Sequence, residues 1–566
     1  MRRSVYLWGI LTAFTALVPY FAFQGEFSSR ALGYPLYDSG GDNYFGWAMT
    51  KAVIEGHFIP FVKMSFPRMA APFGPLSLSE GFPIPEQLQF LVIRLFGLFS
   101  HDPIRVQNLF YLSGYIFSSI AFFASAVWIG IRPALAFGLS FAFTYLTYHL
   151  IRYHHVALSH YWVLAPAAAL ILKLLEGRFG VSKRDRWIAF AASFGIALWH
   201  SYYGYFFTAL YAIAWLLRNF PSSTKKEILT ALGGVGLGFV LALGISTANY
   251  VVARSESSDR PAKFERLPGE TRYYRLRLES VLFPSMGHRI PAFARLRRHF
   301  WLSRGQIEGT DEAIGFTALA GLFIGLGALF RGWKSRRDSP LAPYGALQLL
   351  ILFFASSFGI AIWFSYLVSP VFRSVNRISP MLAATGLFAL GLALETRFAS
   401  RLARSKAFEL ALALGLATFA VWDQVPSFRV PPQFISEIDA VREFSAAVEK
   451  EVGDGPVLQI PNQKFPESGP IVGMLDYSHI AGPLFSDQTK WSYGAYAGTQ
   501  RLERISAVAD HPLEIEAAKA LGYRGIWIDR SGFVPGAAEA IEKGLSEKLG
   551  RPPIVSSDGR RSFFRY

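Results

Sequence analysis

Runs of about 20 apolar residues, each long enough to cross a hydrocarbon layer as a helix, recur along this chain and leave it few folds to adopt. They fall at 5–23, 106–129, 133–150, 157–176, 187–201, 202–218, 227–250, 313–331, 342–362, 378–396 and 405–422. Composition agrees: 52% of the 566 residues are hydrophobic and only 17% are charged, too little polar surface for a water-soluble protein of this length. The expected class is a polytopic α-helical membrane protein with about 11 transmembrane helices. The first run, "MRRSVYLWGILTAFTALVPYFAF", is long for a signal peptide and has no clear small-residue cleavage site, so it reads as a retained span. Absence of cysteine removes disulfides and thiolate metal sites.

The net charge is +16. In a water-soluble chain that would point to nucleic acid, but no recognised binding motif accompanies it, and no nucleic-acid partner is expected. Much of the excess sits in short loops beside apolar spans, where Lys and Arg mark the cytoplasmic side. The stretch 187–218 is preceded by "GRFGVSKRDR" and followed by "RNFPSSTKKE". Both of its ends then face the cytoplasm, which requires two short spans meeting near His200 and Tyr202. With Arg2 and Arg3 inside, "RGWKSRRD" (331–338) and "ETRFASRLARSK" (395–406) fall inside as well. The segments 24–105 and 251–312, and everything after about 423, are placed outside. The arginines of 251–312 run against the simple rule, but loops of that length translocate largely regardless of charge. The apolar segment 85–99 is short and interrupted by Arg94, so it is expected to lie in the membrane interface. Beyond Pro426, helical patterns alternate with short apolar strands, as in "IDAVREFSAAVEKEVGDGPVLQIP", "IEAAKALGYRGIWIDRSGF" and "AAEAIEKGLSEKLGRPPIV". The expected organisation is a transmembrane domain over 1–422 and an extracytoplasmic α/β domain over 423–566, in a bacterial inner or plasma membrane.

Chemistry concentrates after the first span, in "YDSGGDNYFGWAMTKAVIEGHFIP". Asp42 follows Gly40-Gly41 and opens a helix whose apolar positions Phe45, Ala48, Met49, Ala52 and Val53 share one face. A helix cap, contributing about 1 kcal/mol, is the plain reading of Asp42. Asp38, a turn away, is not explained by a cap. Two carboxylates here can bind a divalent cation such as magnesium or manganese, or one can take a proton from an acceptor hydroxyl. The run "GDNYFGWAMTKAVIEGHF" is similar to the first outer loop of GT-C glycosyltransferases, including the catalytic subunit of oligosaccharyltransferases. The resemblance implies an integral membrane glycosyltransferase. Its partners would be a polyprenyl-phosphate-linked sugar donor, an acceptor that is glycan, lipid or protein, and membrane lipids. It carries the catalytic aspartate, which contacts metal or acceptor, onto Asp42, with Asp38 as a looser second. The chain departs from the family in lacking a DxD motif and the "WWDYG" signature; "WSYG" (491–494) lacks its Asp.

Further along, "SPVFRSVNRISPML" (369–382) places Arg373 and Arg377 four residues apart, on one face if the segment is helical. They are candidates for a phosphate clamp, with membrane-interface snorkelling as the alternative. Arg272, Arg275 and Arg277 could assist. Glu80, His154, His155 and Tyr202 are candidates for the lining of a substrate cavity; Glu86 is a further acid in the same loop as Glu80. Aromatic and His residues at a membrane boundary are also ordinary structural features, as His160 and its neighbours illustrate. The glycine-rich "LGGVGLGFVLALG" (232–244) lies inside an apolar run and reads as close helix packing, not as a nucleotide loop. A transporter or flippase of lipid-linked glycans is the competing reading, as is a non-catalytic protein on the same scaffold. Charged residues within the spans would favour transport, and almost none are present.

Overall fold

A computed structural model of the chain describes residues 2–23, 28, 30–37, 40–180, 182–220, 223–262, 265–302, 312–335, 339–426 and 432–566. Among the described residues, seven helices are long and apolar enough to cross a membrane: Ser4–Phe23, Pro103–Ile129, Pro133–Ile151, Val156–Leu175, Lys225–Glu256, Gly315–Gly332 and Val375–Arg397. The remaining apolar runs also form helices, of lower hydropathy or shorter length. The stretch 187–218 is two helices, Lys183–Trp199 and Ser201–Asn219. They break at His200, whose extended backbone lets ring Nδ1 accept from the Tyr202 N–H at 3.3 Å. The run 342–362 is helical over Ala342–Phe354, turns before Gly359 and enters a second helix, Ile360–Leu367, and 405–422 becomes Lys406–Gln424. The chain divides into two compact units.

One unit comprises Met1–Glu26, Tyr111–Gly244 and Glu265–Arg429. Its helices touch where side chains are missing. A Cβ at Gly321 would lie 1.8 Å from the Gly386 carbonyl oxygen, and one at Gly386 would lie 2.4 Å from that of Ala318. Helices Gly315–Ser335 and Ser379–Arg397 therefore pack backbone against backbone, the small-residue contact that membrane helices use. Gly138 does the same against Ala413, at 2.4 Å. The glycine-rich run 232–244 behaves otherwise. Only at Gly238 would a Cβ come close, 2.6 Å from the Phe190 carbonyl oxygen, while one at Gly233, Gly234, Gly236 or Gly244 would meet nothing within 4 Å.

The other unit comprises Phe27–Phe110, Ile245–Phe264 and Val430–Tyr566. It holds a small antiparallel sheet of β1 (Phe58–Ile59), β2 (Lys63–Phe66) and β3 (Leu76–Ser77). A larger mixed sheet contains β4 (Pro456–Ile460), β5 (Lys490–Trp491), β6 (Gly525–Asp529), β7 (Ile554–Val555) and β8 (Arg561–Arg565), in the order β5-β4-β6-β8-β7. β4 runs parallel to β5 and β6, and β8 is antiparallel to β6 and β7. β6 is buried along its whole length, as its unbroken "GIWI" requires, because both faces are covered. Leu458, Ile526 and Ile528 pack with Ile505, Val508 and Leu545 in one core, while Trp527 meets Phe444 at 4.7 Å and Trp491 at 5.1 Å. The three expected helix-then-strand repeats are present as Pro432–Val452 with β4, Ile515–Ala520 with β6, and Ala537–Leu549 with β7.

The sheet is not built by residues after 423 alone. Beyond β5, Trp491 N–H donates to the Arg68 carbonyl at 2.8 Å and Ala71 N–H donates back to Trp491 at 2.9 Å. Residues 68–71 thus cover an edge that would otherwise offer unpaired backbone groups. The first long loop and the C-terminal residues form one unit for that reason.

Candidate active site

The helix Asp42–Ile54 starts as its glycines dictate. Gly40 and Gly41 have φ of 111° and 53°, a region that favours glycine. Gly41 occupies the N-cap position, so Asp42 sits in the first turn and is not the cap its sequence position implied. There its carboxylate lies at the positive end of the helix dipole. Ring contacts seat this end of the helix: Phe45 stacks on Tyr477 with centroids 5.1 Å apart and meets Phe465 at 5.7 Å.

Tyr477 makes Asp42 part of a group. Burial, then the carboxylates of Asp476, Glu467 and Asp42, push its hydroxyl well above its ordinary pKa. That hydroxyl accepts from the Glu467 N–H at 3.2 Å. Asp476 accepts from the Ser468 hydroxyl at 3.0 Å and from the Tyr477 N–H at 3.1 Å. Burial raises the Asp476 pKa, and these hydrogen bonds oppose the rise. Glu467, Val472 and Tyr477 all have positive φ, at 51°, 53° and 62°. Left-handed backbone at non-glycine residues costs about 1 kcal/mol or more each and clusters at functional sites. The result is a buried tyrosine whose hydroxyl feels three carboxylates, on a ring stacked against the first helix after Gly41.

The cations lie in the transmembrane unit. Arg373 and Arg377 are not on an α-helix, contrary to the helical expectation. They sit at two short 3-10 turns, Pro370–Phe372 and Val375–Ile378. The Asn376 N–H donates to the Tyr274 carbonyl at 2.9 Å, and its side-chain amide to Glu312 at 3.0 Å, so tertiary partners take the donors a helix would have used. Arg373 pairs with Glu270 and lies 4.9 Å from the Tyr274 ring centroid. Burial favours the neutral Glu270 carboxyl, but the Arg373 hydrogen bond and charge prevail and hold its pKa below the ordinary value. Beyond the nitrogen given to Glu270, Arg373 has no acceptor among the described residues. Arg377 lies 4.6 Å over the Tyr202 ring, and the Tyr202 hydroxyl donates to the Val371 carbonyl at 3.0 Å. Arg275 donates to the Arg272 carbonyl, and Arg277 is buried.

Other expected residues have different surroundings. Asp38 lies outside the described residues. Glu80 pairs with Arg501 at 3.2 Å, and Arg501 with Asp259 at 3.3 Å, an ion-pair cluster within the sheet-bearing unit. Glu86 precedes the helix Gln87–Phe96. His154 and His155 pack edge to face, 4.8 Å apart, in the transmembrane unit. Among the described residues no three His, Asp or Glu side chains group to hold a metal ion. Glu467, Asp476 and Tyr477 went unmarked in the sequence analysis. They belong to an irregular loop between β4 and β5, where no periodicity or motif distinguishes a functional acid from a solvated one.

No family model and no curated protein matches the sequence. Solved structures do. The arabinofuranosyltransferase AftD from Mycobacteria aligns with a TM-score of 0.50 at 14% identity, covering 100% of this chain and 40% of that one. ArnT from Cupriavidus metallidurans, bound to undecaprenyl phosphate, aligns with a TM-score of 0.50 at 14% identity, covering 99% of this chain and 98% of that one. The apo oligosaccharyltransferase of Archaeoglobus fulgidus aligns more loosely, with a TM-score of 0.44 at 12% identity over 93% of this chain and 69% of that one. The chain is a polytopic helical membrane protein with the GT-C fold. It spans 40% of the AftD chain.

Proposed function

We propose that this protein is a membrane glycosyltransferase that moves a sugar from a polyprenyl-phosphate-linked donor to an acceptor hydroxyl at the non-cytoplasmic face. The observation that carries the reading is Asp42 in the first turn of a helix after the first span, on a chain with the GT-C fold. In the reaction, the acceptor oxygen forms a bond to the anomeric carbon while the bond from that carbon to the phosphate oxygen breaks. The acceptor proton passes to the Asp42 carboxylate, and the bonding electrons leave with the polyprenyl phosphate. Arg373 and Arg377 are the candidate cations for the donor phosphate, where a fixed positive charge is a recognised source of rate. Arg373 offers planar, paired N–H donors suited to phosphate oxygens. Glu270 competes with that phosphate for it.

The test is donor turnover by the purified chain in lipid vesicles. A panel of polyprenyl-phosphate sugars is offered with glycan, lipid and peptide acceptors, and release of free polyprenyl phosphate is measured. Release that depends on an acceptor is expected for at least one donor. Transbilayer movement of the donor with no cleavage would replace this reading with transport.

A further inference from the structure

A second site lies at the other end of the Asp42 helix. An open cavity of about 340 Å³ is lined by Lys51, Glu55, His101, Asp102, Arg442 and Asp487, together with Phe485. All of these belong to the sheet-bearing unit. The volume lies in the lower part of the range of small-molecule pockets, about 300–1,000 Å³. Twelve residue steps separate Asp42 from Ile54, which also lines the cavity. At 1.5 Å per residue this is about 18 Å, so the cavity is distinct from the Asp42 group.

Its chemistry excludes strongly charged ligands. Lys51 Nζ donates to the carbonyls of Leu484 and Ser486 at 2.7 and 2.8 Å, and lies 3.8 Å from both Glu55 and Asp487. Arg442 Nη2 donates to Asp102 at 3.0 Å and to the Gly33 carbonyl at 2.9 Å. Each cation thus has a carboxylate beside it. An anion entering here would meet three acids, and a cation would meet two bases. What remains is hydrogen-bonding capacity of both kinds. Arg442 Nε and Nη1 have no acceptor among the described residues, and the Asp487 side chain is 90% exposed. The Arg442 guanidinium lies 5.3 Å from the ring centroids of both Tyr34 and Phe485, which hold it in place. Fixed donors, an exposed carboxylate with accepting capacity beyond its Lys51 contact, and a half-buried ring match a sugar, whose hydroxyls donate and accept and whose C–H face packs on an aromatic.

We infer that this cavity is a second subsite for a neutral glycan, holding part of a chain-like acceptor about 18 Å from the reacting hydroxyl. The inference rests on the glycosyltransferase reading for its purpose, though not for its chemistry.

The full-length chain in lipid nanodiscs is probed on an array of neutral, phosphorylated and carboxylated oligosaccharides, and the tightest ligand is then titrated. Neutral glycans are expected to bind. Arg442→Gln should weaken binding about 10-fold, the loss of charge-assisted hydrogen bonds. Because Arg442 also holds Gly33, a second variant, Asp487→Ala with exposed His101→Ala, tests the cavity without disturbing the fold; a loss of about 3-fold is expected. Asp42→Asn should bind as the wild type does. Preference for acidic glycans, absence of any glycan binding, or binding indifferent to both cavity variants overturns the subsite. Glycan binding by a wild-type chain that transfers no sugar leaves the subsite standing and removes the transferase reading.

Discussion

Arg373 carries the sharpest opposition among single residues, since the charge proposed for a phosphate is already shared with Glu270. Removing the competitor should help the ligand: Glu270→Gln is expected to tighten donor binding several-fold, while Arg373→Ala weakens it about 10-fold, as read by donor titration. Lys51 tests burial instead. Desolvation first, and the Arg68 guanidinium second, bring its pKa down from 10.5 to about 8. A lysine depressed in the folded state binds fewer protons than in the unfolded chain, so stability should rise as pH increases from about 8 to about 10.5. Lys51→Met should flatten that rise in thermal melts across the window; an unchanged profile would contradict the burial argument. The Asp42 helix was legible in the sequence because its apolar positions keep helical spacing. Tyr477 and its acids were not, because only tertiary packing brings a loop after β4 beside a helix before β1.

At the scale of elements, glycines separate expectation from outcome. Small residues show where helices can approach, not which face a neighbour takes. Gly234 meets nothing within 4 Å, whereas a Cβ at Gly321 would strike the Gly386 carbonyl. Gly321→Ala should therefore destabilise by about 1–3 kcal/mol through overpacking, and Gly234→Ala should be neutral or mildly stabilising. Detergent-resistance melts of the two variants would distinguish them; equal losses would contradict the packing described. The 369–382 segment teaches the same lesson in reverse. Its spacing of arginines fits a helix, but Asn376 gives its donors to Tyr274 and Glu312, and the α-helix begins only at Ser379, beyond both arginines. The break at His200 was readable because basic flanks on both sides of one long apolar stretch demand a return.

For the whole molecule, membrane character followed from apolar runs, and the alternation of helix and strand after Pro426 pointed to an α/β arrangement, though not to its mixed strand directions. What could not be read was that residues 68–71 seal the edge of that sheet, since backbone pairing across such a separation leaves no local pattern. This union makes topology testable through one position, because the chain has no cysteine of its own. Lys464 is exposed in the loop that carries Glu467 and Tyr477. Lys464→Cys should react with a membrane-impermeant thiol reagent from the non-cytoplasmic side of intact cells; labelling only after permeabilisation would invert the proposed orientation. The account as a whole turns on Asp42 as the proton acceptor in sugar transfer. The most direct measurement compares Asp42→Asn with the wild type for donor binding and acceptor-dependent sugar transfer in the same vesicles. Loss of one dipole-favoured charge costs about 0.3–1 kcal/mol of stability, so the variant should fold and bind donor normally while transfer falls about 100-fold or more. Transfer at the wild-type rate by Asp42→Asn would contradict the account.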